Sequence, residues 1–209
     1  PEHRDGASVL HQLLDDVPMA ALISGYGSTR EQGDDWQLPL ETAERLADLC
    51  AGWERGATML GALESTGIFP IPIGPAAPDL SSPEDPLAWH DMGPMVERSV
   101  RRCRRIDLVG GEVLGLDVHF RDSHLATDAV EDVLHEYTLT GAVDPTTLVI
   151  LSSAAVARTL PWPECPGAVA SAGRIVGKPV AGLRPKVHAD FTGTTTCTHL
   201  NDVLRSLAG

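Results

Sequence analysis

The chain lacks any apolar run approaching the ~18 consecutive residues that a membrane-spanning helix requires. Its first residues, Pro1 to Asp5, also lack the charged-then-apolar layout of a secretory signal. Positive charge is scarce as well, since 29 acidic residues against 16 Lys and Arg leave a formal net charge of −13. Because nucleic acids and anionic lipid surfaces are polyanions, we expect a cytoplasmic protein with no nucleic-acid partner and no membrane partner.

Signature motifs of several common enzyme classes are also missing. There is no GxGxxG loop after a strand, no Walker loop, no HExxH and no GxSxG. The glycine-rich segment Gly25-Tyr26-Gly27-Ser28 has no strand before it and does not predict a phosphate loop. The four cysteines lie in a chain of 209 residues, which is long enough to form a core without disulfides, so we interpret them as reduced thiols.

Composition divides the chain into three parts: a mainly helical N-terminal extension over 1–68, a proline-rich connector arm over 69–98 and an α+β domain over 99–209. In the extension, apolar residues at helical spacing predict two helices with buried faces, the second running from Pro39 to about Trp53, and 58–63 predicts a short strand. The arm holds seven of the 16 prolines and should lack regular structure. Its Trp89 should anchor it to its own domain or to a neighbour, so a homodimer is one expectation. The apolar stripe of the first helix consists of Leu10, Leu13, Leu14 and Val17.

Alternating apolar and polar residues in the third part predict consecutive antiparallel strands. The alternation runs through 114–121 and 133–139, and a third strand is expected from 147 to 151 and onward. Two helices follow, one opened by Pro163 and one with an apolar face over 200–207. The expected fold is α+β, with an antiparallel β-meander packed against C-terminal helices.

Cys165 and Cys197 occupy equivalent positions, each in the first turn of a C-terminal helix and on its apolar face. Helix N-termini stabilise a thiolate, so both thiols are candidate nucleophiles with a lowered pKa, directed toward the sheet and toward each other. The alternative is that both are small core residues. His199 follows Cys197 by two positions, and the two side chains converge on one metal only if the first helical turn is irregular.

Histidines supply the other candidates. His135 shares a strand face with Tyr137, so it should point inward, either as a core residue or as a proton-transfer partner. His119, Asp122 and His124 form a polar cluster at a strand end, with the residue types of a facial metal site. The alternation favours a solvated edge for this cluster.

An arginine run, Arg101-Arg102-Cys103-Arg104-Arg105, is the local exception to the acidic charge. One interpretation is that it binds an anionic group of a substrate. The other is an edge or first strand whose arginines pair with the acidic surplus elsewhere in the chain.

These C-terminal residues resemble a bacterial family known as domain-of-unknown-function family 2889. The resemblance covers roughly Ser99 to Leu207, and it implies a fold rather than an activity. The usual His-Asp-Met of the family reads His135-Glu136-Tyr137 in this chain. The other matching features are the arginine run through Ile106, the Cys165-Pro166 helix start, and Gly193 through Cys197-Thr198-His199-Leu200.

A weaker likeness links the same region to iron–sulfur scaffold and sulfur-acceptor proteins. Those proteins also run antiparallel strands, then a helix opening with Cys, then a late Cys beside a His. Here the order is Cys165-Pro166-Gly167, then Gly177-Lys178, then Cys197 with His199. The first cysteine of the scaffold proteins has no counterpart in this chain, so the likeness implies general topology alone.

Three hypotheses about function stay open. The first is a small-molecule enzyme of non-redox type, such as a lyase, hydrolase or isomerase, with a pocket between the sheet and the helix N-termini. The second is a metal-binding or sulfur-carrier domain holding a single zinc or iron ion through Cys165, Cys197 and His199. The third is a non-catalytic ligand- or partner-binding module. For the enzyme, the candidate catalytic residues are Cys165, Cys197, His199 and His135, and the candidate contacts of an anionic substrate are Arg102, Arg104, Tyr137 and Trp162.

Overall fold

The structure is a computed structural model that describes residues 9–32 and 38–208. The expectation for Pro1 to Asp5 therefore concerns residues outside the described part of the chain. Helix α1 spans Val9–Gln32, α2 spans Leu40–Leu46 and α3 spans Thr58–Thr66. A short 3-10 turn, Ala51–Trp53, connects the second and third helices.

Four antiparallel strands follow as a simple meander. They are β1 (Ser99–Val109), β2 (Leu114–Leu125), β3 (Glu131–Val143) and β4 (Ile150–Thr159), and the order in the sheet is the order in the chain. Adjacent strands connected by short turns pair in this way because a hairpin needs no crossover. The predicted α+β meander is thereby confirmed.

Helices cover one face of this sheet. A 3-10 helix spans Cys165–Ile175, α4 spans Leu183–Asp190 and α5 spans Thr198–Ser206. Alternate residues of β2 and β3 point at these helices, so their apolar side chains form one continuous core. Its fully buried members include Val118, Phe120, Tyr137, Leu139, Ala168, Ile175, Leu183, Val187, Leu200 and Leu204.

The proline-rich arm crosses the sheet as an extended segment, as its composition predicts. Its one pairing in the described residues is an antiparallel bridge between Ala76 and Asp132 at the start of β3. Gly74 makes this approach possible, since an added Cβ would lie 1.7 Å from the carbonyl oxygen of Val133. Trp89 meets the ring of His119 edge-on at 5.5 Å, so the arm is anchored on its own chain.

Three local predictions in the helical regions are wrong. Residues 58–63 belong to α3 and not to a strand, because Met59, Leu60 and Leu63 bury one helical face and Gly67 ends the helix in the left-handed conformation. The second helix stops at Leu46, with Asp48 at a φ of 61° shortly after it. Helix α4 has no counterpart among the predicted elements.

The apolar stripe predicted as the buried face of α1 is exposed: Leu10, Leu13, Leu14 and Val17 are 51–61% accessible. Ion pairs hold this first half of the helix instead. Asp16 meets Arg104 of β1 at 2.8 Å, and Asp15 pairs with Arg184 of α4. The second half of α1 is packed more closely, since Ile23 and Thr29 are buried. The homodimer stays a prediction.

Across residues 9–32 and 38–208, every helix is too short or too polar to cross a bilayer.

Candidate functional site

A cavity of about 240 Å³ lies where the N-terminal helices meet one end of the sheet. Its walls are mostly apolar and come from α1, α2, the Ala51–Trp53 turn and the start of the Cys165–Ile175 helix. Gly52 lets the turn pack closely there, because an added Cβ would come within 2.9 Å of both Cys165 and Trp162. The polar groups on its domain side include His135, His199, Cys165 and Cys197, and the N-terminal helices add Tyr26, Thr29 and Thr42.

A β-bulge positions His135. The register between β2 and β3 pairs Asp122 with His135 but Ser123 with Val133, so Leu134 is an extra residue in β3. Consecutive strand residues normally point to opposite faces, and a bulge relaxes that rule. As a result Leu134 and His135 both line the cavity. His135 is buried, as its strand face predicts.

His199 enters the cavity from the first turn of α5. Cys197 is the residue before that helix and has extended backbone angles, φ −125° and ψ 127°. Because Cys197 lies outside the regular helix, its side chain and that of His199 are not held about 200° apart and can approach each other. The Cys197 sulfur lies 4.0 Å from His199 Nδ1, and the Thr198 hydroxyl lies 3.4 Å from the same nitrogen.

The two histidine rings stack on each other. Their centroids are 3.5 Å apart and their planes differ by 16°. Two nitrogens of this pair, His135 Nδ1 and His199 Nε2, are buried and make no hydrogen bond within the protein. Burial lowers the pKa of His135 to about 3. Burial, together with the adjacent His135, lowers the pKa of His199 well below its usual range. Both imidazoles are therefore neutral at physiological pH.

Asp122 lies directly behind this pair and is fully buried. Arg102 of β1 holds its carboxylate by a bidentate contact, with Nε 2.8 Å from Oδ1 and Nη2 2.9 Å from Oδ2. The same guanidinium donates to Asp202 of α5 at 3.0 Å. Burial raises the pKa of Asp122 to about 6, while Arg102 opposes that rise, so the carboxylate is ionised at neutral pH.

The cysteines contradict the expectation of acidic thiols. Burial raises the pKa of Cys165 to about 12 and that of Cys197 to about 11. The cost of placing a thiolate in an apolar wall exceeds the stabilisation that a helix N-terminus supplies. Both cysteines do line the same cavity, and all four cysteines of the chain are free, as expected for reduced thiols.

The predicted cluster of His119, Asp122 and His124 does not form. Asp122 and His124 are fully buried and not on a solvated edge. His119 lies on the other face of the sheet, where its Nε2 is 2.6 Å from Glu136 beneath the proline arm. Asp122 is two residues beyond Phe120, so strand alternation places it on the buried face.

The four candidate substrate contacts divide between the cavity and the protein interior. Trp162 lines the cavity and is half-buried. Tyr137 is fully buried in the core beside Cys197 and is not part of the cavity wall. Arg102 and Arg104 contact carboxylates on the inner side of β1, which matches the interpretation of the run as a strand paired with the acidic surplus.

Within the described ranges, one group of three metal-ligating side chains converges, and it is Asp122, His135 and His199. One ligand atom from each residue lies within 4.8 Å of the other two. This set differs from the predicted one, since Cys165 and Cys197 are not among its members. The two histidines were identified from the sequence, and the carboxylate was assigned to another cluster.

Comparison with known proteins gave one match. A family model described as a protein of unknown function (DUF2889) matches residues 98–209. No curated protein and no solved structure matches the chain. The match begins one residue before β1 and takes in the whole sheet, the helices behind it and all three members of the converging group. The chain therefore belongs to the DUF2889 family, through the half that carries the sheet and the histidine pair.

Proposed function

We propose that this protein is an enzyme of non-redox type that acts on a small, largely apolar molecule bound in the cavity. The observation that carries the proposal is the pair of unpartnered imidazole nitrogens, His135 Nδ1 and His199 Nε2, at the domain side of an otherwise apolar space. A buried polar atom without a partner costs roughly 1–3 kcal/mol. A ligand in the cavity would supply the missing contact, since His135 and His199 both line it.

The size of the cavity supports a small occupant. An apolar cavity of roughly 150 Å³ already holds a benzene molecule, and this one measures about 240 Å³. A single substituted ring or a short branched chain fits that volume. The apolar walls would bind the body of the molecule, and the neutral imidazoles would hold its one polar reacting group.

Binding is the first half of the test. A neutral probe such as 4-fluorophenol, followed by fluorine NMR, should bind with a Kd on the order of 1 mM. Gly25 lines the cavity, and a Cβ added there meets no atom within 4 Å. Gly25→Phe should therefore obstruct the space and weaken binding about tenfold or more. Gly25→Ala is the matched control and should bind as the parent does.

Turnover is the second half of the test. The parent protein and His199→Gln are compared on small aryl esters and aryl-substituted hydroxy acids, which report hydrolysis and dehydration. Turnover by the parent that is lost in His199→Gln, while 4-fluorophenol still binds, supports an enzyme. Probe binding without turnover of any compound would favour the ligand-binding module instead. If Gly25→Phe binds 4-fluorophenol as tightly as the parent does, the cavity is not the binding site of the probe.

A further inference from the structure

We infer that Asp122, His135 and His199 form a binding site for one divalent first-row transition metal of the Zn²⁺ or Fe²⁺ class. This inference rests on the proposed function, because it concerns the same cavity and says how its polar side would hold a reacting group. Two imidazoles and one carboxylate are a ligand set that both metals accept.

The distances allow the three side chains to reach one ion. Their ligand atoms lie within 4.8 Å of one another, and His199 Nε2 is 3.8 Å from Asp122 Oδ2. In a tetrahedral site with bonds of about 2.0–2.1 Å, ligand atoms lie roughly 3.3 Å apart. The separation between Asp122 and His199 would therefore have to close by about half an ångström, and the two stacked rings would have to splay so that the in-plane lone pair of each nitrogen points at the ion.

The unpartnered nitrogens point to the same conclusion independently. His199 Nε2, the atom that faces Asp122, is buried and accepts or donates no hydrogen bond, and His135 Nδ1 is in the same state. Both side chains are more than nine-tenths buried. A metal ion would supply the missing partner, since neutral imidazole nitrogen is a common metal ligand.

The surroundings hold these ligands as an outer shell would. Arg102 fixes the Asp122 carboxylate through both of its oxygens, and it is itself held by Asp202. The Thr198 hydroxyl lies beside the other ring nitrogen of His199 at 3.4 Å. Such outer partners orient metal ligands and raise their affinity.

The cavity leaves room for a fourth ligand. His135 and His199 form part of its wall, whereas Asp122 lies behind them and is closed off from it. An ion held by the two histidines and Asp122 would lie in this wall of the cavity, and with three protein ligands it would keep one coordination position free. Metal sites that act on substrates keep such an open position, whereas structural sites are closed by four protein ligands.

Metal titration without any organic ligand tests the inference. The full chain, stripped with a chelator, is titrated with Co²⁺ and with Zn²⁺, and about one ion per chain should bind. Cobalt should give visible d–d bands without a thiolate-to-cobalt charge-transfer band. His135→Gln and His199→Gln should each weaken binding about a hundredfold or more, and Cys197→Ala and Cys165→Ala should bind as the parent does. Circular dichroism verifies that each variant is folded.

Three outcomes would overturn the site. They are no saturable binding of either ion, binding that both histidine variants retain, and a charge-transfer band that disappears with Cys197→Ala. Elemental analysis of anaerobically purified protein then distinguishes zinc from iron. The proposed function fails separately: metal binding without 4-fluorophenol binding removes the small-molecule proposal alone, and probe binding by a protein that takes up no ion removes the metal site alone.

Discussion

Two polar groups lie side by side in the interior of this domain, and they differ in how completely they are paired. The Arg102 guanidinium donates hydrogen bonds to the carboxylate of Asp122 on one side and to that of Asp202 on the other. In the stacked pair of His135 and His199, two ring nitrogens have no partner. The paired group has a structural reason to exist. The two unpaired nitrogens of the histidines have no such reason within the fold, and this difference is why we propose that they contact a ligand.

The largest expected effect breaks the paired group. Arg102→Met leaves the buried Asp122 carboxylate without its cation and removes one of the two cations beside Asp202, the other being Arg205, so we expect a loss of about 3–5 kcal/mol in the free energy of unfolding. Urea denaturation followed by circular dichroism measures it. Arg105→Met is the matched control, because its partners Asp85 and Asp107 are largely exposed, and it should cost less than about 1 kcal/mol. Equal losses in the two variants would contradict the distinction.

The thiols beside the histidine pair offer a second test. Because burial raises the pKa of Cys165 to about 12, its thiolate fraction at pH 8 is small. Alkylation by iodoacetamide in the folded protein should be slower than for a free thiol of pKa about 8.5 by roughly a thousandfold. Mass spectrometry of the labelled protein gives the rate, and urea-unfolded protein is the control. Fast labelling at neutral pH would restore Cys165 as a candidate nucleophile.

The smallest expected effect concerns the unpaired group. His199→Phe replaces an imidazole that makes no strong contact within the fold, so the free energy of unfolding should change by less than about 1 kcal/mol in either direction. The melting temperature of the stripped protein is the measurement, and Co²⁺ binding by the same variant should be lost. A cost comparable to that of Arg102→Met would make His199 a structural residue.

The sequence predicted the sheet well, because strand alternation and short turns are local signals. It also identified His135, because Tyr137 and Leu139 beyond it alternate with polar residues along β3. Asp122 was placed in the wrong cluster, because its partners Arg102, His135 and His199 come from three other elements. Pairing of that kind depends on strand register and on a bulge, neither of which the local sequence of Asp122 encodes.

The extension was harder to predict for a related reason. Helical spacing in α1 correctly predicted a helix, but not which face would be covered. Ion pairs from Asp15 and Asp16 hold the first half of the helix, and their partners are far along the chain. Helix α4 was missed because Pro185 lies within it, although a proline in the first helical turn is tolerated.

The bridge between Ala76 and Asp132, which Gly74 makes possible, has a further consequence for the behaviour of the protein in solution. Strand β4 pairs with residues 136–143 of β3 and leaves the beginning of β3 uncovered on that side. Pro75 and Ala77 of the arm occupy these positions, accepting from Val133 and donating to Glu131. An uncovered strand edge is a template for association between chains, and proline blocks further pairing because it has no N–H to donate. The arm thus covers this strand edge, and we expect a chain without the arm to expose the edge to pairing with other chains and to aggregate more readily.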